Sequence, residues 1–372
     1  MRARLQRVFA LVVKELLALL RDPASRVVLI GPPIIQLIVF GYAATFELKH
    51  VPFVVYNQDQ GLLSREFIAR FAGAPSFELL QPVGNQTALE QAIDDKSALM
   101  AMDIGPNFSA DLERGRPAHV QIILDGRDSN TAAIAMGYVQ SIVTRFNQTQ
   151  LVQHDMKPPP TVLLDRAWFN PNLDSRWFIV PGICGILTLL VSMLTTGLSV
   201  AREREMGTFD QLLVTPMPPT EILVGKALPG FLVGTGEATL IIVVAIFWFH
   251  VPFTGSLVGL YLGLLCFLFS SVGIGLMISS LAVTQQQGLL GVFLFMVPAI
   301  VLSGFATPIA NMPRAVQYIT LLDPLRYFLI VLRVSFLEGG GTSLFWPEYW
   351  PLLTIGLSCM IVAGNLFRKR LA

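Results

Sequence analysis

Long apolar runs separated by charged segments dominate the hydrophobic pattern of this chain. A helix of about 20 apolar residues crosses a hydrocarbon core of roughly 30 Å, so windows of that length predict transmembrane helices. Six such windows cover residues 26–46, 177–200, 227–249, 256–281, 289–307 and 349–367. The first is too long and too rich in proline for a cleaved signal peptide, so we interpret it as a retained span.

The segment between the first two windows, 47–176, has a different pattern. Short apolar runs such as HVPFVVY and SALMAMDI alternate with helical patterns such as LLSREFIARFA and TALEQAI. Four strand-then-helix pairs predict an α/β domain that is long enough to have its own core. The predicted fold class is therefore an α-helical polytopic membrane protein with six transmembrane helices and an inserted α/β domain.

The first 24 residues predict an amphipathic helix ahead of the first span, which covers 25–46. The charged side chains of Arg4, Arg7, Lys14 and Glu15 fall within one sector of roughly 120°. We interpret this segment as an interfacial helix with its basic face toward lipid headgroups or a partner. A simple extension of the first span is the alternative. Pro23 is expected to end the helix, because the residue before a proline disfavours the α conformation.

A second segment outside the spans, 308–348, contains the apolar run LRYFLIVLRVSFL at 325–337. This run is too short to cross a bilayer and carries Arg326 and Arg333. We predict a re-entrant or interfacial segment here, between the fifth and sixth spans of the 227–367 region.

Composition and charge placement agree with this organisation. The chain is 53% hydrophobic and 14% charged, whereas soluble domains have about 25% charged residues. The formal net charge of +1 gives no indication of a nucleic-acid partner. Lys and Arg cluster in the N-terminal segment, in the 201–226 loop and in the 368–372 tail, which the positive-inside rule places in the cytoplasm. Both termini are then cytoplasmic, and 47–176 lies on the opposite side.

The motifs of several enzyme classes are missing from the sequence. There is no G-x-x-x-x-G-K-[ST] phosphate loop, no HExxH and no G-x-S-x-G. The three cysteines, Cys184, Cys266 and Cys359, all fall inside predicted spans and lack metal-ligand spacing. We therefore predict no catalytic, cofactor or metal site in this chain.

The loop AREREMGTFDQLLVTPMPPTEILVGK at 201–226 carries the strongest local signals. Thr208 followed by Gln211 is a capping-box pattern, and Pro216 would end the short helix that it begins. Phe209, Leu212 and Leu213 would form an exposed apolar edge. A helix with such an edge is suited to docking, and an ordinary polar loop that only orients its spans is the alternative.

The run AREREMGTFDQLLVTP, followed by Gly225-Lys226, resembles the E-x-E-x-G-T…P…G-K pattern of ABC-2-type exporter permeases. Three other stretches, IILDGRDSN, WFNPNLDSRWFIVPG and SSLAVTQQQ, are similar to a subgroup of bacterial inner-membrane multidrug permeases with a large periplasmic domain. The order of segments matches this family along the whole chain. The resemblance implies a multi-pass permease of the bacterial inner membrane that exports drugs or other amphipathic compounds.

By this resemblance, the 201–226 loop would be the coupling segment that sits in a cleft of a cytoplasmic ABC ATPase. ATP and Mg would be bound by that partner, and this chain would need no cofactor of its own. The residues implied in ATPase coupling are Arg202, Glu203, Arg204, Glu205, Gly207, Thr208, Gln211, Pro216, Gly225 and Lys226.

The resemblance further implies a periplasmic adaptor and an outer-membrane channel as partners. A second permease, identical or related, is expected because six spans are few for a complete pathway, and membrane lipid is expected at the amphipathic N-terminal helix. The rival hypothesis is a membrane sensor whose periplasmic α/β domain binds a ligand. Sensors rarely need six spans, and the chain offers only loops and tails on the cytoplasmic side.

Glu237 lies near the middle of the third predicted span. An ionised group there costs roughly 2.5 to 3.5 kcal/mol on insertion scales, which indicates a role. The side chain either faces the transport path and favours cationic cargo, or is protonated and hydrogen-bonded to another span. Gln36 in the first span is a candidate partner or a second residue of the path.

Overall fold

The structure is a computed structural model. It describes residues 2–21, 23–43, 48–127, 129–153, 169–170, 174–209, 217–339 and 342–369. The chain divides into two compact units, and each is described by itself. One comprises Met1–Ala44 with Ala167–Ala372, and the other is Thr45–Arg166.

The Thr45–Arg166 unit is a four-stranded sheet with helices on both faces. Its elements in chain order are β1 (Val51–Asn57), α3 (Leu62–Ala72), β2 (Phe77–Leu79), α4 (Gln86–Asp94), β3 (Met100–Ile104), α5 (Phe108–Glu113), β4 (Val120–Leu124) and α6 (Ser129–Gln153). The strand order is β2-β1-β3-β4. β1 pairs in parallel with β2 and β3, and β3 pairs antiparallel with β4.

Alternating side chains of β1 divide the core of this unit between two faces. Phe53 is fully buried against Phe67 and Phe71 of α3, and Val54 points the other way, toward Leu89 of α4. This period of two is what a strand covered on both faces requires. Each predicted strand and helix of the 47–176 segment coincides with one of these elements, because the apolar runs are short and are followed by Asn, Pro or Gly.

In the residues that the structure describes, the regular structure of the other unit is entirely helical. Its α-helices are α1 (Arg2–Arg21), α2 (Pro23–Ala43), α7 (Arg176–Gly197), α8 (Ser199–Glu205), α9 (Pro219–Phe247), α10 (Leu257–Leu281), α11 (Gln285–Leu302), α12 (Arg314–Ile319), α13 (Pro324–Arg333) and α14 (Thr342–Lys369). Short 3₁₀ turns lie at Ile309–Asn311 and Thr320–Leu322, and a π-turn lies at Val334–Glu338.

Within the described residues, five helices are long and apolar enough to cross a membrane. They are Arg176–Glu205, Pro219–Phe247, Leu257–Leu281, Gln285–Leu302 and Leu344–Phe367. These five overlap the second to sixth predicted windows. The first window falls on α2, whose described apolar stretch, Gly31–Tyr42, is shorter, so the sixth span stays a prediction.

The boundaries of the predicted cytoplasmic loop need correction. α7 and α8 run together to Glu205, so Arg202 to Glu205 are helical. The next span begins at Pro219 rather than at 227, because a proline in the first turn favours a helix start and Glu221 there suits the helix dipole. Gly225 and Lys226 therefore lie inside α9 and not in a loop.

The segment predicted as re-entrant or interfacial contains α13, which is buried within the helical unit. Asp323 caps its start by accepting a hydrogen bond from the backbone N–H of Leu325 at 2.9 Å. Phe328 is fully buried and stacks on Phe267 of α10, with ring centroids 4.2 Å apart. The short α13 thus contributes to the packed interior of the bundle.

α7 is the most buried span and lies at the centre of the unit. Serine hydroxyls fix its neighbours at close range: Ser192 of α7 donates to Ser271 of α10 at 2.9 Å, and Ser270 donates to the carbonyl of Leu352 in α14. Small polar residues of this kind allow helices to approach closely in a membrane. They place α10 between α7 and α14.

Candidate functional site

A cluster of charges joins three helices at one end of the bundle. Lys226 of α9 is 1% exposed, and its Nζ lies 2.7 Å from Glu203 Oε2 of α8 and 3.3 Å from Glu15 Oε1 of α1. Lys14 Nζ donates to Glu203 Oε1 at 2.6 Å. The Ser199 hydroxyl is 3.2 Å from Lys226 Nζ and donates to Glu15 Oε2 at 3.4 Å. We call Lys14, Glu15, Ser199, Glu203 and Lys226 the ion cluster.

Two lysines and two glutamates balance the charge of the ion cluster. Burial by itself lowers the pKa of Lys14, but the hydrogen bond and negative charge of Glu203 outweigh it, so the pKa lies above its ordinary value. The Lys14 ammonium therefore stays charged at neutral pH. With Lys226, it holds the Glu203 carboxylate between α1 and α9.

Gly225 brings α1 close enough for the ion cluster to form. A Cβ at this position would lie 2.4 Å from Leu11 Cδ2 of α1, so any larger residue would force the Leu11 side chain to shift. A second ion contact, between Arg7 Nε of α1 and Glu221 Oε2 at 3.3 Å, holds the same pair of helices together. The Gly225-Lys226 pair thus has a structural role at the contact between α1 and α9.

α8 also contacts the connection between α10 and α11. Arg204 donates to the carbonyls of Ser280 and Ala282 at 3.0 and 2.7 Å. Glu205 Oε2 accepts from the backbone N–H and the side-chain amide of Gln285, at 2.9 and 3.0 Å. Arg202 Nε also donates to the Gln285 side chain, at 3.3 Å. α8 is thereby tied to four other helices, α1, α9, α10 and α11.

An exposed turn follows α8. Gly207 adopts a φ of +67°, and a Cβ there would meet no atom within 4 Å, so glycine is favoured by conformation rather than by space. Met206 is 66% exposed. Thr208 hydrogen-bonds back to the carbonyl of Glu203 through both its N–H and its hydroxyl. We call Met206–Thr208 the coupling turn.

The prediction of an exposed apolar edge is wrong at Phe209. This residue is 8% exposed, its ring meets Phe367 of α14 at 5.5 Å, and the Arg204 guanidinium lies over it. The burial follows because α14 extends far enough to cover the ring. Leu212, Leu213 and the candidate residues Gln211 and Pro216 lie outside the described residues, so the capping box stays a prediction.

Several residues of this site were missed by sequence reasoning. Ser199 lies outside the quoted motifs, Met206 and Gln285 lie inside quoted stretches but were not singled out, and Lys14 and Glu15 were assigned to a face toward headgroups or a partner. The clustering of charged side chains within one sector of α1 was the signal that could have identified Lys14 and Glu15. Their partners lie on α8 and α9, so this part of the face contacts the chain itself.

Glu237 and Gln36 are not brought together by any hydrogen bond among the described residues. Glu237 lies on α9, and both of its carboxylate oxygens are buried and without a hydrogen-bond partner in the described part of the chain. Gln36 lies half-buried on α2, which packs against α7. The two predicted path residues therefore stay separate features.

Comparisons with known proteins extend the picture from residues to the whole chain. Residues 26–365 match the model of a family described as ABC-2 family transporter protein. The chain is 41% identical to the probable multidrug ABC transporter permease YbhR of Escherichia coli (strain K12), over 98% of this chain and 99% of that protein. It is 32% identical to the probable multidrug ABC transporter permease YbhS, over 90% and 89%. It is also 30% identical to the inner membrane transport permease YhhJ of the same organism, over 98% of each chain.

Proposed function

The chain belongs to the ABC-2 family of transporters, and on this premise we propose that it is a permease subunit driven by separate ATPase subunits. The three relatives are named as permeases, and the alignments cover nearly the full length of each of them. This favours a permease over a membrane sensor. Two relatives are named for multidrug transport, so drugs or other amphipathic compounds are the proposed cargo. The five long apolar helices fit a multi-pass protein of the inner membrane.

The single observation that carries the coupling role is the way α8 is held. Its four-helix contacts leave the coupling turn exposed at the end of a rigid segment. A push on Met206–Thr208 by a closing ATPase would move α8 and, through it, the spans. We propose the coupling turn as the ATPase contact, with Glu203, Gly225 and Lys226 acting behind it to transmit the movement.

The finer organisation is proposed on the same basis. α2 would be the sixth span, both termini and the coupling turn would be cytoplasmic, and Thr45–Arg166 would form a periplasmic domain. A second permease, identical or related, would complete the pathway, since six spans are few for one. The periplasmic unit would meet an adaptor leading to an outer-membrane channel.

Purification with and without an ABC ATPase tests the proposal. The chain alone should hydrolyse no ATP, and the complex should hydrolyse ATP and export an amphipathic dye from inside-out vesicles in an ATP-dependent way. ATP hydrolysis by the purified chain alone would contradict it. Dye movement that is independent of both the ATPase and ATP would do the same.

Replacing Met206 with lysine should weaken ATPase binding without unfolding the permease. An exposed side chain can be changed at little cost to stability, whereas a central contact residue costs about 1 to 2 kcal/mol, or roughly fivefold to thirtyfold in affinity. Affinity would be measured by surface plasmon resonance with the permease in nanodiscs. M136K is the matched control, because Met136 is also exposed but lies in the α/β unit. Equal affinities for M206K and wild type would exclude the coupling turn as the contact.

A further inference from the structure

Two polar groups without partners lie at the contact between α7 and α9. Thr188 of α7 is fully buried, and its hydroxyl has no hydrogen-bond partner among the described residues. On α9, the two carboxylate oxygens of Glu237 are also buried and without a hydrogen-bond partner among the described residues. Buried polar groups are nearly always hydrogen-bonded, so two orphans at one helix contact require an explanation.

Helix geometry brings these two groups to the same place. Cys184 Sγ lies 4.0 Å from the carbonyl of Ala238, which sets this part of α7 against the residue that follows Glu237. Thr188 is one turn beyond Cys184 on the same face of α7. Thr188 and Glu237 therefore share one polar spot inside an otherwise apolar bundle.

The residues that the structure describes supply no ion-pair partner for Glu237. None of the ion pairs formed by the described residues includes it. A carboxylate in a span is unfavourable until a cation neutralises it, and intramembrane carboxylates usually mark a path for ions or substrates. The missing partner is therefore expected to be cationic and to come from outside the chain.

The surface of α9 beside Glu237 offers a way in for an amphipathic molecule. Gly236 is exposed, and a Cβ there would meet no atom within 4 Å. Leu232 and Leu240, one turn to either side, are 54% and 47% exposed. This face of α9 therefore has an apolar stripe formed by Leu232 and Leu240. The stripe is interrupted by Gly236, which directly precedes Glu237 in the chain.

We infer that Glu237, with the Thr188 hydroxyl, binds the positive charge of an amphipathic cation, while the Leu232–Leu240 stripe contacts its apolar part. The inference rests on the proposed export function and adds the charge class of the cargo. Glu237 is a binding residue in this assignment, and Thr188 contributes its hydroxyl oxygen as an additional acceptor.

The test uses tetraphenylphosphonium and tetraphenylborate, a cation and an anion of nearly the same size. Binding is measured at equilibrium to the permease–ATPase complex in nanodiscs, after subtraction of binding to empty nanodiscs. Wild type should prefer the cation, and E237Q should bind it at least about thirtyfold more weakly, as expected when one partner of a desolvated charge pair is removed. E237D keeps the charge and should retain the preference.

The matched control is E338Q, which removes the same charge from an exposed residue of the π-turn. It should bind the cation like wild type. In wild type, tetraphenylphosphonium should also slow the reaction of Glu237 with dicyclohexylcarbodiimide, followed by mass spectrometry, and this readout needs no variant. Equal cation binding by wild type and E237Q, an equal loss in E338Q, or no protection from the carbodiimide would overturn the inference.

The cation site and the proposed export function can fail independently of each other in these experiments. If wild type and E237Q both support ATPase activity in the complex but bind the cation equally, only the cation site fails. If the wild-type complex neither hydrolyses ATP in a permease-dependent way nor moves dye, the export function fails whatever the binding result.

Discussion

The K226M variant is expected to lose about 3 to 5 kcal/mol of stability, the cost of breaking a buried ion pair by removing one partner. Lys226 is 1% exposed and neutralises Glu203 and Glu15 together. Methionine fills a similar volume but leaves an unbalanced negative charge between α1, α8 and α9. Thermal unfolding of the purified permease and ATP-driven export should both show the loss.

Charge balance gives this prediction a sharp control. The double variant K226M/E203Q leaves Lys14 beside Glu15, 3.7 Å apart, and should be more stable than K226M alone. K49M, at an exposed lysine of the α/β unit, should behave like wild type. If the double variant were as unstable as the single one, the loss would come from packing rather than charge.

The F328A variant is expected to lose about 3 to 5 kcal/mol, as large-to-small changes of buried aromatic residues do. Phe328 is fully buried and stacks on Phe267 of α10, so its truncation would leave a cavity where α13 packs against the bundle. The melting temperature of the purified permease should fall by about 6 °C or more, given 2 to 4 °C per kcal/mol for a chain of this order of size.

F247A is the matched control for F328A. Phe247 lies at the end of α9 and is 74% exposed, so its truncation removes few contacts and should change the melting temperature little. Equal shifts for F247A and F328A would contradict the burial of α13 in the bundle.

The parts of the fold that local patterns determine could be predicted from the sequence. Bilayer thickness fixes the length of a span, so apolar windows located five of the long helices. In the α/β unit, the period of two in HVPFVVY and the turn residues after each run marked strand and helix in order. Helix ends were less accurate: the predicted third window begins at 227, after the charge of Lys226, whereas α9 begins at Pro219, where the proline and Glu221 favour a helix start.

The candidate site could be predicted only in part, because its interacting residues lie far apart in the sequence. Lys14 and Glu203 are 189 positions apart, and Glu15 and Lys226 are 211 apart. No periodicity connects positions so far apart, so the ion cluster had to be seen in three dimensions. The motif 279–287 shows the same limit: it was recognised as a separate stretch, yet Ser279 accepts from the backbone N–H groups of Val200 and Ala201 in α8.

The balance of the ion cluster constrains how this protein can diverge. Because Glu15, Glu203 and Lys226 have little contact with water and Lys14 is half-exposed, a change at one of the three largely buried positions leaves a charge that the remaining residues do not neutralise. Descendants should therefore inherit these four positions as a set, exchanging acid and base together or losing them in pairs. Lineages in which only one has drifted should be rare, even though the adjacent codons of Lys14 and Glu15 lie far from those of Glu203 and Lys226 in the gene.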